Sequence, residues 1–195
     1  MKVPPRRFCL YVLSMVLACL ALSHPVWASD ERSRDAQLHE LSVQTQESGG
    51  VKATATLLFP GRPALVQSIL SDYTRWPELF ETRMRVARLE QRGTGVLMEL
   101  FITHALLPGE RRLLCESHML PGGGLVTELK GGDFKQYRRV WKFEPAGDGT
   151  QTRAEFELLV EVDTIIPDWM VAMAMERELE AHFRIVRQRA LERGW

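Results

Sequence analysis

The chain has 195 residues, 25 basic and 25 acidic side chains, and 45% hydrophobic residues. This is enough for one domain with its own core, and the balanced charge lacks the basic excess that nucleic-acid binding requires. No Cys/His cluster has metal-ligand spacing and no glycine-rich phosphate loop precedes a helix, so nothing calls for a metal or a cofactor.

The N-terminus carries Lys2, Arg6 and Arg7, an apolar run from Phe8 to Leu22, and then Val26-Trp27-Ala28-Ser29. This is the three-part layout of a secretory signal peptide cleaved after Ala28, and the run is too short for a permanent span, which takes about 20 apolar residues. Val16-Leu17-Ala18-Cys19 offers a second mode of processing, as a lipoprotein anchored through Cys19. Residues 1–28 hold three basic and no acidic side chains, so their removal leaves 22 basic against 25 acidic. Only Cys115 then remains, which rules out an intrachain disulfide. Residues 29–37 are a polar lead-in, and the domain is expected over 38–195.

Leu41, Val43 and Thr45 alternate before Gly49-Gly50, and Val51, Ala53, Ala55, Leu57 and Phe59 alternate after it, which predicts a β-hairpin. Pro60-Gly61 ends the second strand. Pro63 then opens a short amphipathic helix over 63–72 carrying Leu65, Val66, Ile69 and Leu70, and the Trp76 to Phe80 stretch makes a second short helix or turn. Strand patterns follow over 83–91, 95–105, 111–120, 125–130, 136–144 and 152–164, separated by Gly- and Pro-rich turns short enough to join antiparallel neighbours in a meander. Pro167-Asp168 opens a helix running to about Arg193, with Ala172, Met175, Leu179, Phe183, Val186 and Ala190 in one stripe and Arg177, Arg184 and Gln188 opposite. Only one face of the sheet is large enough to cover that stripe.

The expected architecture is therefore α+β: a curved antiparallel sheet, two short helices after the first hairpin, and a long C-terminal helix over an apolar cavity. Three stretches add a resemblance. Ser68-Ile69-Leu70-Ser71-Asp72-Tyr73 with Trp76-Pro77-Glu78-Leu79-Phe80, Trp141-Lys142-Phe143-Glu144-Pro145 with Gly147-Asp148-Gly149-Thr150, and Ile166-Pro167-Asp168-Trp169 resemble, in this order, the polyketide cyclase and coenzyme Q-binding branch of the START-like (helix-grip) superfamily. Leu79, between the Glu and the Phe, departs from the family's Pro-Glu-Phe turn. The resemblance implies a helix-grip fold with a ligand cavity. With the leader, it implies a periplasmic carrier of a lipid or quinone-like molecule; a cyclase/dehydrase enzyme and an interaction module with a filled cavity are the alternatives.

Strand parity aims Met98, Leu100, Ile102, Trp141, Phe143, Phe156, Leu158 and Val160 at the inner face, with Met175, Leu179 and Phe183 meeting them from the helix. Each is either ligand contact or plain core. The polar candidates are His104, Tyr137 and Arg139. His104 reads either as a pocket group or as a bonded strand-end histidine, Arg139 either as a pocket group or as one half of an ion pair with a neighbouring strand. No nucleophile, base and orienting acid fall together by spacing, so no catalytic residue is assigned. From Trp169 to Met175 the helix is apolar on all sides. Trp169, Met170 and Met173 are expected either under loops after Phe80 and around Leu106-Leu107-Pro108, or as a rim at the cavity mouth that touches a membrane surface.

Overall fold

The computed structural model describes residues 38–193. The expected leader at 1–28, its lipoprotein alternative at Cys19 and the lead-in at 29–37 lie outside the described residues.

Strands β1 (Leu38–Thr45) and β2 (Val51–Pro60) form the expected hairpin, pairing Leu41 with Ala55 and Val43 with Ala53. Gly50 sits at φ 84°, and a Cβ there would fall 2.6 Å from the Val160 carbonyl oxygen, so the turn needs glycine. Helix α1 (Pro63–Leu70) starts at Pro63 as predicted but stops at Leu70, two residues early. A 3₁₀ helix follows at Tyr73–Leu79 and contains Pro77.

Six strands complete the sheet: β3 (Arg83–Arg92), β4 (Gly95–Thr103), β5 (Glu110–Met119), β6 (Leu125–Gly132), β7 (Phe134–Ala146) and β8 (Gln151–Val162). All neighbours are antiparallel, in the order β1-β2-β8-β7-β6-β5-β4-β3. The meander thus runs from β3 to β8, and the N-terminal hairpin joins it where β2 pairs with β8. Gly131 and Gly132, which read as a turn, are the last residues of β6, and Asp133 alone makes the corner by exchanging hydrogen bonds with the Arg112 backbone at 2.8 Å. Register shifts at Val86/Arg88, Leu114/Cys115 and Phe134/Gln136 add local bend and twist, which a sheet must have to wrap a helix.

The outer face is solvated and laced with ion pairs, such as Lys52–Glu157 at 3.1 Å and Arg138–Glu157 at 3.3 Å. Such exposed pairs contribute little stability, about 0–1 kcal/mol each. The inner face carries the core: Ala53, Ala55 and Leu57 of β2, Leu113 and Cys115 of β5, Trp141 and Phe143 of β7, and Ala154, Phe156 and Leu158 of β8. Helix α2 (Asp168–Arg193) lies on it, burying Leu179, Phe183, Val186 and Ala190. Its start is tied to the hairpin, because the Gly50 amide donates to Asp168 Oδ2 at 2.9 Å. This is a helix-grip, START-like fold.

Candidate functional site

The grip is uneven. In the second half of α2, Phe183 meets Trp141 and Phe156 edge-on at ring-centroid distances of 5.8 and 5.2 Å, and Val186 is fully buried. In the first half, Val171, Ala174, Met175 and Glu178 stand off the sheet, and a cavity of about 200 Å³ remains between helix and strands. Its volume is below the roughly 300–1,000 Å³ of pockets for drug-sized ligands, so it accepts a ring or a short chain.

Of the side chains expected to meet ligand, Leu100, Ile102, Phe156, Leu158, Val160, Met175 and Leu179 line this space, together with the polar His104, Tyr137 and Arg139. Met98, Trp141, Phe143 and Phe183 do not. They lie in solid core, at 0%, 0%, 6% and 4% exposure, and Trp141 meets Phe183 of the second half of α2 there. Parity identified the face of the three strand residues correctly, but their depth along the strands removes them from the cavity; Phe183 lies in the second half of α2, past it.

Trp169 and Met173 depart from expectation differently. They are 59% and 64% exposed, so loops do not cover them. They also do not line the cavity, because at about 100° per residue they fall on the side of α2 opposite Val171, Met175 and His182. Met170 is half-buried between the two faces. Trp169 and Met173, one turn apart on α2, thus make an exposed apolar pair on the side away from the cavity, and Ile165, before the helix, is 95% exposed.

The wall contains residues that pattern reading missed. Trp76 and Phe80 reach the cavity from the 3₁₀ segment, and Met84 and Leu113 from β3 and β5. His182 is the most informative of them. It follows Met175 by seven residues, two helical turns, so it shares the cavity face, but a polar residue is easily passed over in an apolar stripe. Its ring is 1% exposed and stacks on Phe80 at 4.3 Å.

The polar groups differ in how they are satisfied. Leu106 N–H donates to His104 Nδ1 at 3.1 Å, which leaves Nε2 of the neutral ring as the protonated nitrogen, 3.7 Å from Glu178 Oε1. Glu178 Oε2 also accepts from Thr82 N–H at 3.2 Å. The Thr82 bond ties α2 to the residue before β3, and His104 stands beside Glu178 at the cavity edge, just past the end of β4. His182 Nδ1 donates to the Leu79 carbonyl at 2.8 Å, and its Nε2 has no partner among the described residues. Burial, reinforced by the nearby Arg139 cation and opposed by the Leu79 bond, holds its pKa down to about 3.

Arg139 is 4% exposed, its Nε is buried without a partner, and no carboxylate among the described residues lies within ion-pair distance. The ion-pair expectation fails for a specific reason: its cross-strand neighbours are Thr127 and Leu158, and it is Arg138, facing outward, that pairs with Glu128 and Glu157. The Arg139 guanidinium instead lies over the Trp76 ring at 4.2 Å.

Burial pushes the Tyr137 phenol up to about 12 and the Cys115 thiol up to about 12, both against the lowering effect of Arg139. Cys115 is thus an inert core thiol rather than a nucleophile. Ser117 is also engaged, accepting from Tyr73 Oη at 2.8 Å and from Thr127 Oγ1 at 3.1 Å. Among the described residues no group of three His, Cys, Asp or Glu side chains is placed to hold a metal ion.

Fold and cavity agree with what the sequence matches. Residues 60–182 match the family described as polyketide cyclase / dehydrase and lipid transport, and the chain belongs to that family. No curated protein matches it significantly in sequence. Among solved structures it is similar to the protein TTHA0849 from Thermus thermophilus (21% identity, TM-score 0.61, covering 72% of this chain and 97% of the other). It is also similar to a START superfamily protein from Mycobacterium smegmatis (18%, 0.57, 72% and 97%). A third is the Zhui aromatase/cyclase from a Streptomyces species, R1128 (13%, 0.54, 73% and 92%). At these identities the likeness is one of fold.

Proposed function

We propose that this protein binds and carries an apolar small molecule, lipid or quinone-like, outside the cytoplasm. The observation that carries the reading is the cavity of about 200 Å³ between the sheet and the first half of α2, walled mainly by aliphatic and aromatic side chains. An open space of this kind argues against the filled-core interaction module. The family's description includes both lipid transport and cyclase chemistry, so the choice rests on the polar groups. A general base works best with a pKa near the operating pH, and His182, held down to about 3, is a poor one. Cys115 and Ser117 are not available as nucleophiles either, which favours binding over the cyclase/dehydrase alternative.

The leader pattern of residues 1–28 supports export, most simply to a periplasm. The exposed pair of Trp169 and Met173 on α2, followed one turn on by Arg177, supports transient contact with a lipid surface: indole and thioether enter the interface while the guanidinium stays in water. Organic-solvent extraction of the purified mature protein followed by mass spectrometry tests the carrier reading. A stoichiometric apolar compound supports it. Turnover of a polyketide-like substrate by an otherwise empty protein would overturn it in favour of the enzyme.

A further inference from the structure

Two polar side chains buried at the cavity wall each keep a nitrogen without a partner among the described residues, Arg139 its Nε and His182 its Nε2. Arg139 brings a cation to the cavity, at 4% exposure, with its guanidinium over the face of Trp76 and no carboxylate among the described residues within ion-pair distance. His182, at 1% exposure, spends Nδ1–H on the Leu79 carbonyl and keeps Nε2 as a bare acceptor. A buried charge without a counter-ion and a buried acceptor without a donor are both costly, and folded proteins keep such groups where something else completes them. The one carboxylate lining the cavity among the described residues, Glu178, accepts from Thr82 N–H and is not within ion-pair distance of Arg139. The site therefore has one unanswered positive charge and one unanswered acceptor.

Building on the reading that the cavity binds an apolar molecule, we propose that its ligand is a small monoanionic acid, with a carboxylate or ionised phenol held by Arg139. A hydroxyl on the same head donates to His182 Nε2, and the apolar body lies against Leu100, Leu158, Met175 and Leu179. A guanidinium offers parallel N–H donors that fit a carboxylate, and one cation balances one negative charge. A phosphate monoester would leave a second charge uncompensated in an apolar cavity, so it is disfavoured.

Calorimetric titration of the purified protein at pH 7 with octanoate, 3-hydroxyoctanoate, 1-octanol and octyl phosphate tests this. Octanoate is expected to bind at least tenfold more tightly than 1-octanol and more tightly than octyl phosphate, with 3-hydroxyoctanoate tighter still. In Arg139→Met the octanoate advantage over 1-octanol should vanish while 1-octanol affinity is kept, and in His182→Leu the advantage of the hydroxyl should vanish. The ligand-free Arg139→Met protein should melt no lower than the parent, because an unpaired buried cation has been replaced by an apolar side chain. Arg139→Gln serves the same comparison if the Met variant does not fold, and the wild-type contrast of octanoate with 1-octanol needs no variant. Equal affinity for octanoate and 1-octanol in the wild type, or an octanoate preference that survives loss of Arg139, overturns the acid inference alone. Failure of all four probes to bind overturns the cavity-binding reading and the acid inference with it.

Discussion

The guanidinium carbon of Arg139 lies 4.2 Å from the centre of the Trp76 ring, and Trp76 is itself fixed by donating Nε1–H to the Leu70 carbonyl at 2.9 Å. The short helices after the first hairpin thus do more than bridge two strands: they set the aromatic face on which a buried cation rests. Trp76→Phe removes the hydrogen bond and weakens the cation–π contact. It is expected to cost about 1–3 kcal/mol by urea unfolding and to lower octanoate affinity several-fold. Trp169→Phe, at a side chain 59% exposed, is expected to leave both nearly unchanged.

Leu179 and Val186 are both buried on α2, yet only Leu179 borders the cavity. Leu179→Trp has space to grow into. It is expected to reduce octanoate binding at least tenfold while shifting stability by less than about 1 kcal/mol. Val186→Phe has no such space, and overpacking there should cost about 1–3 kcal/mol. Denaturant midpoints and titrations on both variants make the comparison; equal destabilisation by the two would mean that the space beside Leu179 is not usable.

The legible part of this fold was its punctuation and its parity. Glycine and proline mark most of the turns of the meander, and alternation put Leu100, Tyr137, Arg139, Phe156 and Leu158 on the inner face, where they are found. Parity cannot show how far along a strand the helix stops touching the sheet, which is why Met98, Trp141 and Phe143 were grouped with cavity residues although they are core. Nor does one sequence fix register. Without knowing that Arg139 faces Thr127 and Leu158 while Arg138 faces Glu128, an ion pair for Arg139 was the natural reading. His182 was hidden by its type, since its spacing from Met175 already placed it on the right face.

The exposed apolar pair on α2 makes its own prediction. Trp169→Ser combined with Met173→Ser is expected to reduce co-sedimentation with anionic phospholipid vesicles and to slow ligand exchange with them, with stability unchanged within about 0.5 kcal/mol because both side chains are exposed. Unaltered vesicle association would remove the membrane-contact reading and leave the cavity untouched.

His182 makes stability depend on pH in a defined direction. Burial first, and the Arg139 cation second, hold its folded pKa down to about 3, whereas in the unfolded chain the imidazole titrates near 6.5. Between these values the unfolded chain binds a proton that the folded chain refuses, so stability rises with pH across the window and is lost as pH falls through it. From pH 7 to 5 the loss is about 2 kcal/mol. His182→Leu should abolish this share of the pH dependence, whatever it does to stability at pH 7. Protonation of carboxylates such as Glu78, Glu110 and Glu116, whose pKa values are lowered by hydrogen bonds from Arg75, Arg85 and Lys130, destabilises both proteins alike at lower pH and cancels in the comparison. Urea midpoints of wild type and variant at pH 7, 6 and 5 measure it, and the wild type should fall more steeply. Parallel slopes would mean that the folded protein accepts the proton at His182, and then Nε2 is not the bare acceptor on which the hydroxyl contact depends.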